Sequence, residues 1–228
     1  VVYQQFLTDE KLRALLPCMP YCAIWFADDQ IREQATLAGN IVNASPAADG
    51  TPPIMALNGE IEIARLQGSE ISHRTVAVSD FIKGPGATDL QPGEIVTAVT
   101  CDTLEGYGGS FQKVGQRRSL VISSVCAVAC IKLDEATGTV ADIRLALGGI
   151  SPVPLRLTKT EQLLTGKKLN REMIVEAARQ PAELVASRTR REYRRIVVRG
   201  FVEAAIEDAL ADCGAAVPNE DTRETANV

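Results

Sequence analysis

The sequence predicts an α+β fold, with helices toward both ends of the chain and a mainly antiparallel β region between them. Three observations lead to this prediction. Residues 1–29 space their leucines as a helix does but contain interrupting prolines, residues 60–150 alternate polar with apolar or are rich in β-branched residues, and residues 159–211 return to helical spacing. A period of two is typical of strands, and a period near 3.6 is typical of amphipathic helices. The chain has 228 residues, enough for one large domain or two small ones.

The composition favours a globular protein with a sizeable core. Hydrophobic residues make up 46% of the chain, and the mean hydropathy is close to zero. A net charge of −5 argues against a nucleic-acid-binding surface, which needs clustered positive charge. No apolar run is near the length of about 18 residues that a membrane span needs, and the first residues lack the basic and apolar regions of a signal peptide. We therefore expect a cytoplasmic protein that binds neither membrane nor nucleic acid.

Six cysteines are scattered through the chain, and none forms a CxxC pair. The chain has a single histidine, His73, and its cysteine spacing offers no set of four convergent metal ligands. We expect the cysteines to be small buried hydrophobic residues and the chain to bind no metal. His73 is expected to be a solvated strand residue without a catalytic role. The cysteines are Cys18, Cys22, Cys101, Cys126, Cys130 and Cys213.

The N-terminal residues predict two short helices. Thr8 can cap the first, whose first turn is acidic. Pro17 ends this helix, and Pro20 can begin a second one that runs to about Phe26.

The β pattern begins after these helices. Residues 60–66 and the run that ends near Val76 predict a hairpin with a turn at 67–69. Residues 80–86 are predicted as a loop, and 94–99 as another strand.

Glycines at 106–109 predict a flexible boundary. We expect one domain over residues 1–106, a second over 107–213, and a disordered tail over 214–228. In the second domain, the runs 119–133 and 140–150 predict a hairpin of long strands.

Three helices should follow in the second domain, at about 159–164, 171–178 and 188–211. In the last of them, apolar residues recur at helical spacing and predict a core-facing stripe. The stripe consists of Tyr193, Val197, Phe201, Ala204 and Ala205.

Residues 30–49, QIREQATLAGNIVNASPAAD, are the best candidate for a ligand site. The centre, Thr36 to Asn40, combines a hydroxyl, small residues and an amide, so that backbone N–H groups could approach a phosphate closely. Asp49 ends the stretch with a carboxylate that can accept hydrogen bonds from ligand hydroxyls. Taken by itself this is a weak signal, because a turn of small residues is more often only a turn.

The same stretch resembles the signature of the FAD-binding subunits of molybdenum hydroxylases, the flavoproteins of the xanthine dehydrogenase and carbon monoxide dehydrogenase family. Ala38 stands where the family usually has the first glycine of a pair. The similarity extends over nearly all of residues 1–213. The further segments that carry it are DFIKGPGATDLQPGEI, SFQKVGQRR, GGISPVPLR and SRTRREYRR.

The resemblance implies a partial FAD-binding lobe of the PCMH type over 1–106. A C-terminal flavoprotein domain should follow, with an antiparallel sheet of about three strands packed on a helical bundle. Family members carry an upstream lobe that grips the FAD pyrophosphate, and residues 1–29 match the stretch just before the signature. We therefore expect this chain to lack that lobe and to expose apolar residues near its N-terminus.

The resemblance also implies the cofactor and its site. Phe26 should stack on the flavin ring, Val96 should pack against it, and Lys113 should stabilise its reduced, anionic form. Besides the flavin, no catalytic acid, base, nucleophile or metal ligand is expected on this chain. The implied FAD-binding residues are Phe26, Thr36, Leu37, Ala38, Gly39, Asn40, Asp49, Val96 and Lys113.

By the same resemblance the chain is an electron-transfer subunit that is inactive alone. A large molybdopterin subunit would oxidise the substrate, and a small subunit with two [2Fe–2S] clusters would relay electrons through FAD to NAD or another acceptor. Arg117 and Arg118 could face a pyridine-nucleotide phosphate or a partner, although a solvated basic loop is the simpler interpretation. The basic run 187–195 could likewise face a subunit.

Two other functions stay open. One is a flavin-free assembly subunit descended from the flavoprotein, which Ala38 and the missing lobe favour. The other is a flavoenzyme with its own substrate, such as a UDP-sugar reductase of related fold, which the C-terminal similarities disfavour.

Overall fold

The computed structural model describes residues 1–117, 120–187 and 189–215 and has the predicted α+β class. Six short helices form the N-terminal part. Two helices are predicted before residue 27, and the structure has three there. Asp9, rather than Thr8, caps the second of them by accepting a hydrogen bond from the backbone N–H of Leu12 at 3.0 Å. The helices are α1 (Gln5–Thr8), α2 (Glu10–Leu15), α3 (Met19–Trp25), α4 (Asp29–Arg32), α5 (Leu37–Val42) and α6 (Thr51–Ala56).

A three-stranded antiparallel sheet follows, with the order β2-β1-β5. Its predicted strands are confirmed, but the predicted loop at 80–86 is wrong. Those residues form the end of a short helix and a strand, because Phe81 and Ile82 are buried in the core and hold this segment in place. The elements are β1 (Glu60–Gln67), β2 (Glu70–Ala77), α7 (Val78–Phe81), β3 (Ile82–Gly84), β4 (Ala87–Thr88) and β5 (Glu94–Thr100).

The second sheet has four antiparallel strands instead of about three, in the order β6-β7-β8-β9. The run expected to begin at 119 becomes a strand only at Val125. The strands are β6 (Gly108–Val114), β7 (Val125–Leu133), β8 (Val140–Gly148) and β9 (Leu155–Arg156).

Strand β7 lies at the centre of the molecule. Cys126, Val128 and Cys130 point into a core shared with the N-terminal helices, whereas Ala127 and Ala129 point into a core shared with the C-terminal helices. A strand that is buried on both faces needs apolar residues at consecutive positions, which explains the continuous apolar sequence of β7. The four-stranded sheet is therefore the middle layer between two sets of helices. Four of the six cysteines are buried in the N-terminal core, as expected.

The glycines at 108 and 109, predicted to form a flexible domain boundary, are part of a strand instead. Gly108 and Gly109 belong to β6, and each is pressed against backbone. A Cβ on Gly108 would lie 2.2 Å from the carbonyl oxygen of Ala209, and one on Gly109 would lie 2.3 Å from the carbonyl carbon of Pro17. These glycines allow close packing of the sheet on helices from both ends of the chain.

Helices α8 (Thr158–Leu164), α9 (Arg171–Arg179) and α10 (Arg191–Asp212), with a 3₁₀ turn at Gln180–Leu184, cover the outer face of the second sheet. The predicted stripe of α10 is shifted from the buried one. Tyr193 is 40% exposed, and Val197 and Phe201 are only partly buried. The side chains that pack on the sheet belong to Val198, Val202, Ala205, Ile206, Ala209 and Leu210.

Two other predictions concern the end of the chain and the membrane. The expected disordered tail lies outside the described residues except for Gly214 and Ala215. Within the described ranges, no helix combines the length and the apolar character that a bilayer crossing requires.

Candidate functional site

Asp49 and Lys113 lie at the centre of the candidate site. The Lys113 ammonium is 2.6 Å from Asp49 Oδ2, and the side chains are 3% and 7% exposed. Lys113 also donates to the carbonyl of Trp25 at 3.2 Å, and Ser123 donates to Asp49 Oδ1 at 2.5 Å. The carboxylate, which belongs to the N-terminal part, is thus held by two groups from the second sheet and the loop before β7.

The electrostatics of this pair are a balance of opposing effects. Burial raises the pKa of Asp49, while the charge of Lys113 and the hydrogen bonds from Lys113 and Ser123 oppose that rise. A buried carboxylate without such partners would be strongly destabilising. Lys113 and Ser123 therefore hold the charge at this position.

A cavity of about 460 Å³ opens beside the ion pair. Phe26 forms part of one wall, Ile122 another, and Asn40 and Asn43 contribute amide groups. Its volume falls in the range of small-molecule sites, and an apolar lining with a few polar groups is typical of them. Two apolar residues of its lining are exposed: Ile31 by 46% and Ile122 by 77%.

The expectation that apolar residues near the N-terminus are exposed is met only in part. Trp25 and Ile31 are 48% and 46% exposed, but Tyr3 and Phe6 are fully buried. The exposed apolar residues near the N-terminus are therefore Val1 and a group at 21–31, of which Ile31 lines the cavity.

The signature segment is not the free turn that the sequence suggests. Thr36 caps helix α5 through a hydrogen bond from the N–H of Gly39 to its Oγ1, at 3.0 Å. The N–H of Leu37 donates to the carbonyl of Val1, and that of Asn40 to the carbonyl of Thr36, each at 3.1 Å. Three N–H groups expected to face a phosphate are thus already bonded within the chain.

The substitution at Ala38 causes no backbone strain, because Ala38 lies inside helix α5. Positive φ in this stretch falls instead on Ala44, at 47°. Asn40 turns inward and accepts a hydrogen bond from the N–H of Gly50 at 3.0 Å, which ties the start of the signature to its end.

The structure gathers four of the nine predicted site residues around the cavity: Phe26, Asn40, Asp49 and Lys113. Val96 lies on β5 opposite Ile63 and packs against the core. The other five predicted site residues, all of them in the described part of the chain, are not in the cavity lining: Thr36, Leu37, Ala38, Gly39 and Val96.

Two residues of the site were not predicted. Ser123 is buried in a loop and binds Asp49, and the sequence around it carries no signal of this role. Tyr3 stacks on Phe26, with the ring centroids 3.7 Å apart and the planes 7° from parallel. An aromatic residue 23 positions before another gives no sign of such contact, because only the folded chain brings them together.

The basic residues contribute little to the cavity. Arg117 donates to the backbone carbonyl of Leu120 at 3.0 Å, while Arg118 and Arg188 lie outside the described residues. The predicted contact of these arginines with a nucleotide or a subunit stays a prediction. Within the described ranges, no cluster of three histidine, cysteine or acidic side chains is arranged to hold a metal ion.

Comparisons with known proteins agree with this fold. Residues 1–101 match the family described as the FAD binding domain in molybdopterin dehydrogenase, and residues 110–209 match the CO dehydrogenase flavoprotein C-terminal domain. The glyceraldehyde dehydrogenase medium chain of Sulfolobus acidocaldarius is 31% identical over 90% of this chain and 72% of that protein. The xanthine dehydrogenase FAD-binding subunit of Escherichia coli O157:H7 is 28% identical over 93% of this chain and 73% of that protein.

A solved structure of similar fold is the carbon monoxide dehydrogenase from Hydrogenophaga pseudoflava that lacks the Mo-pyranopterin moiety of its cofactor. It matches 93% of this chain and 74% of its own chain, with a TM-score of 0.84 and 24% identity.

Proposed function

Since the chain belongs to the FAD-binding subunits of the molybdopterin-dependent dehydrogenases, we propose that it binds the flavin of FAD in the 460 Å³ cavity and serves as an electron-transfer subunit. In this function a small partner with two [2Fe–2S] clusters delivers electrons from a large molybdopterin subunit. NAD or another acceptor receives them. The observation that carries the proposal is the position of Phe26, Asp49 and Lys113 around one cavity in a chain of this family.

The residues present fit a flavin. Phe26 offers an aromatic surface to a planar ring, and Ile122 adds an apolar wall. Asn40 and Asn43 supply amide groups that can both donate and accept hydrogen bonds. Bound FAD would supply the redox chemistry, accepting electrons singly and giving them up in pairs.

The chain's own groups would bind and orient that ligand. Lys113 sets a positive charge at the cavity wall, which favours negative charge on a neighbouring ligand. Asp49 keeps this ammonium in place, and Ser123 keeps Asp49 in place. The substrate is oxidised elsewhere in the complex in this proposal, so none of these groups acts as a general acid, a general base or a nucleophile.

A second function is that of a flavin-free assembly subunit. It is favoured because the charged, aromatic and N–H groups of the site already have partners within the chain. Lys113 and Asp49 bind each other, one face of Phe26 is covered by Tyr3, and three N–H groups of residues 37–40 are bonded internally. A scaffold would need no ligand to stabilise such an arrangement.

One experiment separates the two functions. The purified chain is incubated with FAD, passed through gel filtration, and its visible absorbance is recorded. A flavin spectrum at near-equal stoichiometry supports the redox subunit, and a colourless protein contradicts it and supports the scaffold. If flavin is retained, NADH added without oxygen tests the acceptor: bleaching of the flavin band supports NAD, and an unchanged band points to another acceptor.

A further inference from the structure

Tyr3 lies directly behind the wall of the cavity. Its ring stacks on Phe26 at 3.7 Å, and Phe6 meets it edge-on with centroids 6.2 Å apart and planes at 72°. Tyr3 is fully buried, whereas Phe26 is half-buried and lines the cavity. One face of the Phe26 ring is therefore fixed against Tyr3, while the residue still borders the cavity.

The backbone around Tyr3 is tied to the signature segment. Its N–H donates to the carbonyl of Ala35 at 3.1 Å, and Val2 forms an isolated antiparallel bridge with Thr36. The N–H of Leu37 completes this connection by donating to the carbonyl of Val1 at 3.1 Å. Because the first three residues are bonded to 35–37, the position of the Tyr3 ring is set by the same segment that leads into α5.

The phenol end of Tyr3 reaches the other side of the site. A Cβ on Gly50 would lie 2.1 Å from the Tyr3 hydroxyl, so this oxygen is pressed against the residue that follows Asp49. Burial, together with the nearby Cys22 and Asp49, raises the pKa of Tyr3 well above its usual value, so the hydroxyl stays protonated. Tyr3 thus contacts Phe26 with its ring and the Asp49–Gly50 segment with its hydroxyl end.

We propose that Tyr3 is a positioning residue of the flavin site, whose ring sets the plane and depth of Phe26 before the ligand binds. This inference rests on the proposed function. A phenylalanine at a cavity wall can rotate about two side-chain bonds, and a second ring packed behind it removes that freedom. Fixing a contact group in its bound conformation raises affinity because less conformational entropy is lost on binding.

Stacking, and not hydrogen bonding, is the property of Tyr3 that matters. Within the described residues the Tyr3 hydroxyl has no hydrogen-bond partner. Tyr3→Phe keeps the ring and should therefore keep the function, while Tyr3→Leu removes the ring and should lose it. Phe6→Leu is the matched control, because Phe6 is equally buried and touches Tyr3 only by its edge.

The test has one measurement without flavin and one with it. First, 4-fluorophenylalanine is placed at position 26 in the ligand-free chain, and its ¹⁹F resonance reports the ring current of Tyr3. Second, FAD is titrated to obtain a dissociation constant. Tyr3→Leu should shift the resonance and weaken FAD binding about tenfold, the size expected when an aromatic pair is lost. Tyr3→Phe and Phe6→Leu should leave the dissociation constant within about twofold of the wild type.

Each other outcome overturns the inference. Equal weakening by Phe6→Leu and Tyr3→Leu would show an effect of core stability, and a shifted resonance with unchanged FAD affinity would show that the position of Phe26 does not matter. If Tyr3→Leu fails to fold, Tyr3→Met takes its place, since a flexible thioether fills irregular space well. A wild-type chain that binds no FAD overturns the proposed function too, whereas variants that all bind equally overturn only the role of Tyr3.

Discussion

The ammonium of Lys113 lies 2.6 Å from the carboxylate of Asp49, and this buried pair joins the second sheet to the N-terminal helices. The two residues are 64 positions apart in the chain. Ser123 holds the other carboxylate oxygen. The candidate site therefore lies at the contact between the N-terminal helices and the second sheet.

Removal of Lys113 should strongly destabilise the fold. Lys113→Met leaves the Asp49 carboxylate buried with only Ser123 as a side-chain partner, and breaking a buried pair in this way costs about 3–5 kcal/mol. Urea denaturation at neutral pH measures the free energy of unfolding. Lys83→Met is the control, because Lys83 is 51% exposed and lies 3.4 Å from Asp89. That change should cost less than about 1 kcal/mol, and equal losses in the two variants would refute the assigned role of the buried pair.

Acid sensitivity should depend on Arg74. Its guanidinium donates to Glu94 at 2.7 and 2.8 Å and to Asp89 at 2.7 Å. These bonds lower the pKa of Glu94 from 4.5 to about 2 and also lower that of Asp89. Between these values the unfolded chain binds more protons than the native one. The stabilisation is therefore complete above about pH 4.5 and is lost as the pH falls toward about 2.

Arg74→Met should flatten this acid dependence. Urea midpoints recorded from about pH 5 down to about pH 2.5 should fall less steeply in the variant than in the wild type. Lys159→Met, which removes an exposed lysine of α8, should leave the wild-type slope unchanged. A variant slope equal to that of the wild type would show that Arg74 does not set the acid sensitivity.

Two glycines should respond to alanine in opposite directions. At Gly109 a Cβ would meet backbone atoms of Pro17 and Cys18 at 2.3–2.5 Å, so Gly109→Ala should destabilise the protein by about 3 kcal/mol. At Gly200, inside α10, a Cβ would meet open space. Gly200→Ala should stabilise by about 1 kcal/mol because alanine favours the helix. Thermal and urea unfolding check both, and a tolerated Gly109→Ala would contradict the close packing described for β6.

Loss of the Phe26 ring should weaken flavin binding under the proposed function. Phe26→Leu keeps an apolar side chain but removes the aromatic surface, and the FAD dissociation constant should rise about tenfold. Fluorescence titration of FAD gives the value. Phe201→Leu, a half-buried ring on α10 in the other core, should leave the affinity unchanged. Unchanged affinity in Phe26→Leu would remove Phe26 from the site.

The fold class and most of the helices and strands can be predicted from the amino-acid sequence. Strands β1, β5 and β8 and helices α8 and α9 are predicted within a few residues, because side-chain periodicity and turn residues act locally. The chemistry of the signature stretch also indicates Asp49 as a candidate site residue, and Asp49 lines the cavity. Local patterns cannot choose between neighbouring faces, however, and the predicted stripe of α10 contains Val197 where the sheet buries Val198.

The assembly of the candidate site, in contrast, depends on the folded chain. It pairs Asp49 with Lys113, stacks Tyr3 on Phe26, and uses N–H groups of the signature for a helix start instead of leaving them free. These contacts join residues far apart in the chain, and their energies come from burial and charge compensation that exist only once both partners are packed together. The sequence supplied the chemical groups, and the packing of the N-terminal helices against β6 and β7 decided which of them meet.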